Sequence, residues 1–381
     1  MEPDPDDPWG ATTREIFEQL DRGLRNDDEL ALATVVGVDG SAYRRPGAKM
    51  VLDGAGMVYG GITAGCLEGP LQDIAARVLE QDRPAVETFD LTSDDNTWGL
   101  GLGCEGIVDV LVEPVDASWE TPVTAYRDEA RSIVITVLAG TASVPVGSRV
   151  ILDSEHEVIS AGERAAIPAD IRNDLVSIAR DVVDAGDSHR RVDLGELELF
   201  VDLIEPATPV LLFGSQPDIR PVSRLATQLG MDVTVATPRG GQASADAFPH
   251  ATRVVASRPT SIDELVDERS HVILMSHNFV DDRLALETLL ETDVPYLGLM
   301  GPRDRFDRMR SELAEQGRSL SAEDRERIAT PVGLDLGGGE PIEIATSIVA
   351  EILAVSNNRD GGRLRDRQGP IHERQHVPTR K

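Results

Sequence analysis

The pattern of apolar and polar positions divides the chain into three regions, and the first ends near residue 115. In two stretches the apolar residues recur with the spacing of one helix face. Two short apolar runs on either side of an Asp-Gly turn indicate a hairpin. These patterns predict helices over 13–25 and 68–79, strands over 30–38 and 107–112, and a hairpin over 49–60.

The middle region, 120–206, carries candidate strands and one helix but no motif that indicates chemistry. We expect an antiparallel packing or dimerisation module. No internal repeat is evident in the sequence. The predicted strands span 132–138, 149–152 and 197–204, and the predicted helix spans 168–185.

The third region, 208–356, alternates strands and helices, which is typical of a doubly wound sheet. Ser261 and Glu264 have the spacing of a capping box, and Pro341 suits the first turn of a helix. The polar tail over 357–381 is expected to be disordered. The predicted strands span 210–213, 233–236, 253–256, 271–275 and 296–299.

The predicted fold class is therefore α/β, in several domains. A length of 381 residues exceeds the usual size of a single core. We predict an α+β domain at 11–115, an antiparallel module at 120–206 and a Rossmann-like, doubly wound parallel sheet at 208–356.

The chain carries a formal net charge of −30, and its only lysines are Lys49 and Lys381. The acidic residues are spread over all regions, which favours adaptation to high salt over one charged interface. Such a surface argues against nucleic-acid binding, which needs a basic face. The acidic N-terminus does not resemble a signal peptide, and no apolar run approaches the roughly 18 residues of a membrane span. We expect a cytoplasmic protein without a membrane segment.

The first candidate site is the loop that holds Ser41, Arg44, Arg45, Gly47 and Lys49. Glycine permits a tight turn, and two guanidinium groups with backbone N–H groups suit an oxyanion such as phosphate. The alternative is a polar loop whose arginines pair with nearby carboxylates.

The second candidate site is the turn Gly65-Cys66-Leu67-Glu68, just before a predicted helix. A thiol at a helix N-terminus is stabilised as thiolate, which favours nucleophilicity or metal ligation. The alternative is a small buried cysteine at a crowded turn. Gly103 and Cys104 belong to another glycine-rich loop with a thiol. With two cysteines, the chain has too few for a disulfide framework.

The third region contains an eroded dinucleotide fingerprint. After Gly214, Gln216 and Ile219 occupy positions where the fingerprint requires glycine, so NAD(P) binding is disfavoured. His277, Gly298 and Gly301 follow or lie in predicted strands whose carboxyl ends face the ligand crevice. His277 is a candidate general base, cofactor contact or metal ligand, and the alternative is a structural hydrogen bond.

Taken together, these motifs resemble the xanthine dehydrogenase accessory protein family, XdhC/CoxI. Residues 41–49 resemble the family's Gly-Ser-x-x-Arg-x-x-Gly element, and residues 65–68 resemble its Gly-Cys-x-Glu signature. Residues 98–104 resemble its second glycine–cysteine loop. Further matching segments lie at 276–278, 296–301, 331–337 and 341–345.

The resemblance implies a maturation factor without turnover of its own. It implies binding of molybdenum cofactor, as molybdopterin or its cytosine dinucleotide, and delivery to a molybdenum hydroxylase. Arg44, Arg45 and Lys49 would bind the phosphate or nucleotide, and Cys66, with Cys104 as a second candidate, would contact molybdenum or carry sulfur. A cysteine desulfurase is a candidate second partner, and we expect a homodimer.

Two departures from the family concern the third region. The family's Gly-Ala-Gly-His is replaced by residues 214–217, Gly-Ser-Gln-Pro, and its Asp-Pro-Arg by residues 237–239, Thr-Pro-Arg. They leave open whether this region holds any nucleotide. Two alternatives remain: an NAD(P)-dependent oxidoreductase, and a structural partner of the hydroxylase.

Overall fold

The computed structural model describes residues 8–54, 56, 58–92, 106–160 and 167–368. The chain divides into two compact units, one up to Pro206 and one from Ala207 onward. Within the described residues, no helix is both long and apolar enough to cross a membrane.

The first unit begins with a five-stranded antiparallel sheet, in the order β3-β2-β1-β5-β4. One helix precedes the sheet, and a second covers one of its faces with apolar residues at helical spacing. The strands are β1 Leu30–Gly40, β2 Lys49–Asp53, β3 Val58–Tyr59, β4 Ala85–Asp90 and β5 Gly106–Pro114, and the helices are α1 Thr13–Asn26 and α2 Glu68–Gln81.

A second five-stranded antiparallel sheet follows in the same unit, in the order β8-β7-β6-β10-β9. It has the helix and strand order of the first sheet, so the first unit contains two copies of one topology. We call 11–115 the first module and 120–206 the second module. The elements are α3 Glu120–Arg127, β6 Ser132–Ala139, β7 Arg149–Leu152, β8 Val158–Ser160, α4 Ala169–Asp184, β9 His189–Leu194 and β10 Leu197–Ile204.

The strand register of the two modules is also the same. Thr34 faces Lys49 across the first strand pair, and Thr136 faces Arg149 in the second module. Both central strands then shift register at the same point, with Val36 and its equivalent Leu138 in the shift. The absence of a visible repeat in the sequence is therefore misleading, because the shared positions hold mostly apolar residues that any buried strand would carry.

The two sheets pack face to face. α2 and α4 cover the outer faces, and two further apolar clusters lie between the sheets. The larger of these also takes in α1 and α3, whose Phe17 and Tyr126 rings stack with centroids 4.3 Å apart.

The second unit is a six-stranded parallel sheet with apolar clusters on both faces. The strand order β13-β12-β11-β14-β15-β16 confirms the predicted α/β fold class with a Rossmann-like C-terminal sheet. The strands are β11 Pro209–Phe213, β12 Asp232–Thr237, β13 Arg253–Ala256, β14 His271–Leu274, β15 Tyr296–Leu299 and β16 Ile328–Ala329, and the helices are α5 Ile219–Gln228, α6 Phe279–Leu289, α7 Arg303–Glu315, α8 Ala322–Arg327 and α9 Pro341–Ser356.

Two predicted helix starts in this unit have different outcomes. The capping box of Ser261 and Glu264 is wrong, because residues Pro259–Leu265 form a 3-10 helix in which Ser261 has a non-helical φ of −133°. The start at Pro341 is confirmed, and Glu340 and Glu343 form the capping box there. The predicted tail is described only as far as residue 368 and includes a short 3-10 helix, Leu364–Asp366.

Candidate functional site

The turn before α2 is organised by Thr63 and Glu68. The Thr63 hydroxyl oxygen accepts the backbone N–H groups of Cys66 and Leu67 at 3.2 and 3.1 Å. The same hydroxyl donates to the Glu68 carboxylate at 2.9 Å, and the Leu67 N–H also donates to that carboxylate at 3.0 Å. Glu68, predicted to bind cofactor, therefore satisfies the turn itself.

Cys66 lies at the inner side of this turn. Its side chain is only 7% exposed and packs among the apolar residues of α2 and the first sheet. Gly65, next to it, is exposed, has a φ of +102° and has open space where a side chain would be. The turn thus presents a bare backbone surface directly beside the thiol.

The arginine loop 41–48 lies against the same turn. Arg44 Nη1 donates to the Gly61 carbonyl oxygen at 3.0 Å, and this bond joins the loop to the segment that leads to Cys66. Arg45 is half-buried, and its Nε is a buried atom with no hydrogen-bond partner among the described residues. Gly47 has a φ of +90°, as its position in a tight turn requires. Ser41 is exposed.

Two aromatic residues that sequence reasoning missed adjoin this site. The Trp9 indole N–H donates to Glu68 at 3.4 Å, and the ring packs so closely on Gly61 that a side chain there would clash. Tyr43 lies beside it, with ring centroids 5.7 Å apart, and both rings are more than a third exposed. Tyr43 stands within the arginine loop and could have been considered, whereas nothing in the sequence connects Trp9 to residues some fifty positions later.

Lys49 points elsewhere. It is buried in the first unit, where Nζ forms an ion pair with Asp202 Oδ2 at 2.5 Å and donates to the Gly47 carbonyl at 3.1 Å. Burial raises the pKa of Asp202, but the charge of Lys49 and the hydrogen bond from His189 outweigh burial and lower that pKa to about 2. An internal partner therefore accounts for the Lys49 charge, and its predicted role in cofactor binding gains no support from this geometry.

The second predicted thiol loop, with Gly103 and Cys104, lies outside the described residues. Its expected approach to the Cys66 turn therefore stays a prediction. Among the residues that the structure describes, no group of three or more His, Cys, Asp or Glu side chains could hold a metal ion.

In the second unit, His277 bridges the crevice between β11 and β14. This is the point where the strand order reverses, at which open α/β sheets bind ligands. His277 Nε2 lies 2.6 Å from Asp218 Oδ2, and Asp218 is the N-cap residue of α5. A dinucleotide would place its pyrophosphate at this helix end, where the carboxylate now stands.

The other predicted residues of this unit have structural surroundings. Gly298 lies within β15, where a side chain would clash with Ile273 and Val332, and Gly301 has a φ of +122° beyond the strand end. Beneath the crevice, the Asp282 carboxylate accepts from the Ser276 hydroxyl at 2.5 Å and from Arg305 at 2.8 Å. Burial raises the pKa of Asp282, and these two partners offset only part of that effect.

The chain matches two models of one protein family. Residues 24–90 match the model described as the XdhC and CoxI family, and residues 210–352 match the XdhC Rossmann domain. Together the two matches cover more than half of the chain.

Similar proteins support the same relationship. A Bacillus subtilis protein named as a probable xanthine dehydrogenase component is 28% identical over 343 residues, covering 88% of this chain and 95% of that protein. The uncharacterized protein YqeB of Escherichia coli is 29% identical over 170 residues, covering 44% of this chain and 31% of that protein.

A solved structure resembles the fold along most of the chain. This is a crystal structure described as that of a xanthine dehydrogenase from Bacillus halodurans, which has a TM-score of 0.73 and 27% identity and covers 92% of this chain and 97% of that one. The two family models, the Bacillus relative and the shared fold agree over both units. The chain belongs to the XdhC and CoxI family.

Proposed function

We propose that this protein is an accessory factor that holds molybdenum cofactor and delivers it to a molybdenum hydroxylase of the xanthine dehydrogenase type. The bond between Arg44 and the Gly61 carbonyl carries the proposal, because it joins an anion-suited loop to the turn that bears Cys66. The names of the Bacillus relatives, which refer to xanthine dehydrogenase, support the choice of client.

The residues around this turn suit the chemistry of that cargo. A pterin with a terminal phosphate is planar and anionic, and its molybdenum is bound by sulfur. Arg44 and Arg45 offer guanidinium groups to the phosphate, and Arg45 Nε is buried without a partner among the described residues. Trp9 and Tyr43 offer exposed rings that can stack on a planar heterocycle.

Cys66 would contact the metal side of the cargo. Thiolate is a soft ligand that suits molybdenum, and the exposed Gly65 beside it lets a bulky group approach the backbone. Such a contact holds and passes the cargo, so no turnover by this chain is required. The cargo supplies the redox chemistry only after it reaches the hydroxylase.

Retention of cofactor by the purified protein tests the proposal. The protein is purified without oxygen from cells that make molybdenum cofactor, and bound pterin and molybdenum are measured per chain. We expect both in the wild type and a loss of both in the double variant Arg44→Ala/Arg45→Ala. In Cys66→Ala we expect molybdenum to fall more than pterin, because the phosphate contacts remain.

The control variant is Arg131→Ala. Arg131 is an exposed arginine of the second module that pairs with Glu205 at 2.6 Å, so its loss removes the same charge away from the turn. A wild type that carries neither pterin nor molybdenum would overturn the proposal, and so would equal losses in the double variant and the control.

A further inference from the structure

The two modules of the first unit contact each other reciprocally. Lys49 of the first module pairs with Asp202 of the second, while Arg149 of the second pairs with Glu113 of the first. The strand register makes Lys49 equivalent to Arg149, and Glu113 equivalent to Asp202. Contacts of this form, in which each residue meets the equivalent of its own partner, are typical of the interface in a twofold dimer.

The same reciprocity holds at two glycines that end equivalent loops. Gly47 has a φ of +90° and lies against His189, and Gly147 has a φ of +85° and lies against Pro84. His189 and Pro84 occupy equivalent places, one opposite Asp202 and the other just before the strand residue that faces Val112. The first unit is therefore built as a fused pair of modules.

The apolar contacts between the sheets follow this symmetry as well. One inter-sheet cluster contains Leu32 together with its equivalent Val134, and Val51 together with its equivalent Ile151. Each sheet thus buries against the other the face that a separate module would bury against a second copy.

The symmetry is broken at the ligand loop. In the first module this loop carries Arg44 and Arg45, whereas Val144 and Pro145 stand at the corresponding end of the second module's loop. The residue that covers the end of the loop differs in the same way, because histidine covers Gly47 and proline covers Gly147. The second module has kept the interface but not the cationic loop.

We infer that the second module takes the place of a partner protomer, and that its His189 and Asp202 position the arginine loop of the first module. His189 Nδ1 lies 2.9 Å from Asp202 Oδ1, whose other oxygen holds Lys49. Lys49 in turn donates to the Gly47 carbonyl, and the Gly47 N–H donates to the Val35 carbonyl at 2.8 Å.

This chain of contacts fixes the end of the loop on both sides. Ordering the loop before binding lowers the entropy that a ligand must overcome. The inference rests on the proposed function only for the identity of the ligand. His189 and Asp202 are positioning residues, because they act on the loop through Lys49 and Gly47.

A matched pair of variants tests the inference. His189→Ala removes the ring that covers Gly47, and Pro84→Ala removes the ring that covers Gly147. Hydrogen exchange of backbone amides is measured by mass spectrometry, together with retained pterin. In His189→Ala we expect residues 41–48 to exchange about fivefold faster or more, and retained pterin to fall. In Pro84→Ala we expect faster exchange over 141–148 and unchanged pterin.

A conservative variant separates positioning from general destabilisation. His189→Asn keeps a side-chain N–H that can reach Asp202, so we expect slow exchange of the loop and pterin retention to return. Unchanged exchange over 41–48 in His189→Ala would overturn the inference, as would equal loss of pterin in Pro84→Ala. A wild type without pterin, with the expected exchange pattern intact, would overturn the proposed function and leave the positioning of the loop standing.

Discussion

Thr63 shows how one hydroxyl group shapes the candidate site. It accepts two backbone N–H groups of the turn and donates to Glu68, and it is buried. The Gly-Cys-x-Glu pattern draws attention to Cys66 and Glu68 but not to Thr63, because its role depends on the turn closing back on it. The sequence indicates the chemistry of this site but not its hydrogen bonds.

Replacing Thr63 by valine should destabilise the protein and loosen this turn. The change keeps the shape but leaves the Cys66 and Leu67 amides without their hydroxyl acceptor, which costs about 1–3 kcal/mol of unfolding free energy. Urea unfolding measures the loss. The control is Thr124→Val at an exposed helix position, which should change stability by less than about 0.5 kcal/mol. Equal effects of the two changes would contradict this account of the turn.

The buried pair of Lys49 and Asp202 gives a second prediction at this scale. Asp202→Asn leaves the Lys49 charge buried without its partner, so the free energy of unfolding should fall by about 3–5 kcal/mol. The double variant Lys49→Met/Asp202→Leu should recover most of this loss, because no buried charge remains. A double variant as unstable as Asp202→Asn would contradict the argument.

The same pair predicts a dependence of stability on pH. The pKa of Asp202 is about 2 in the folded protein, below the roughly 3.9 of an unfolded chain. A carboxylate with a lowered pKa stabilises the fold above its unfolded pKa, here by about 2 kcal/mol, and this contribution is lost as pH falls from about 4 to 2. Urea unfolding at pH 5 and pH 3 should therefore show a larger loss in the wild type than in the double variant.

At the scale of elements, strong periodicity was enough to predict most of what was found. The helix beginning at Pro341 and the buried strands of the parallel sheet follow from apolar runs and caps. The edge strand β4 was missed, because its residues alternate weakly and only Phe89 is buried. The capping box at Ser261 failed since the short segment closes as a 3-10 helix instead.

The start of α5 allows a prediction about nucleotides. Asp218 puts a carboxylate, paired with His277, at the helix end that would otherwise receive a pyrophosphate. We expect a fluorescence titration with NADH to show no saturable binding at concentrations up to about 1 mM, a level typical of the weakest enzyme–substrate complexes. Saturation in the micromolar range would contradict this interpretation of the crevice.

At the scale of the whole molecule, the repeated module is the feature that the sequence hides. The two modules share topology and register, but the residues that carry them are interchangeable apolar types, apart from short segments such as 147–153. The expected homodimer rested on a need for a partner surface. The second module covers that surface within the chain, so the homodimer stays a prediction without that support.

The fused pair predicts how fragments behave. A fragment of residues 8–206 should unfold cooperatively, because it keeps both sheets and the ion pairs between them. A fragment of residues 8–115 exposes the inter-sheet face and removes the second-module partners of Lys49 and Glu113. We expect it to be unfolded or self-associated in circular dichroism and analytical ultracentrifugation. A stably folded monomer of the shorter fragment would contradict this account.

The central claim is that this chain holds molybdenum cofactor and gives it to a hydroxylase, and transfer between the two proteins tests it most directly. Loaded protein is incubated without oxygen with a cofactor-free xanthine dehydrogenase, the two are separated, and pterin and molybdenum are counted on each. We predict that the amount lost by this protein equals the amount gained by the hydroxylase, which becomes active in proportion. Cofactor that stays bound to this chain, or a hydroxylase equally activated by the Arg44→Ala/Arg45→Ala variant, would contradict the claim.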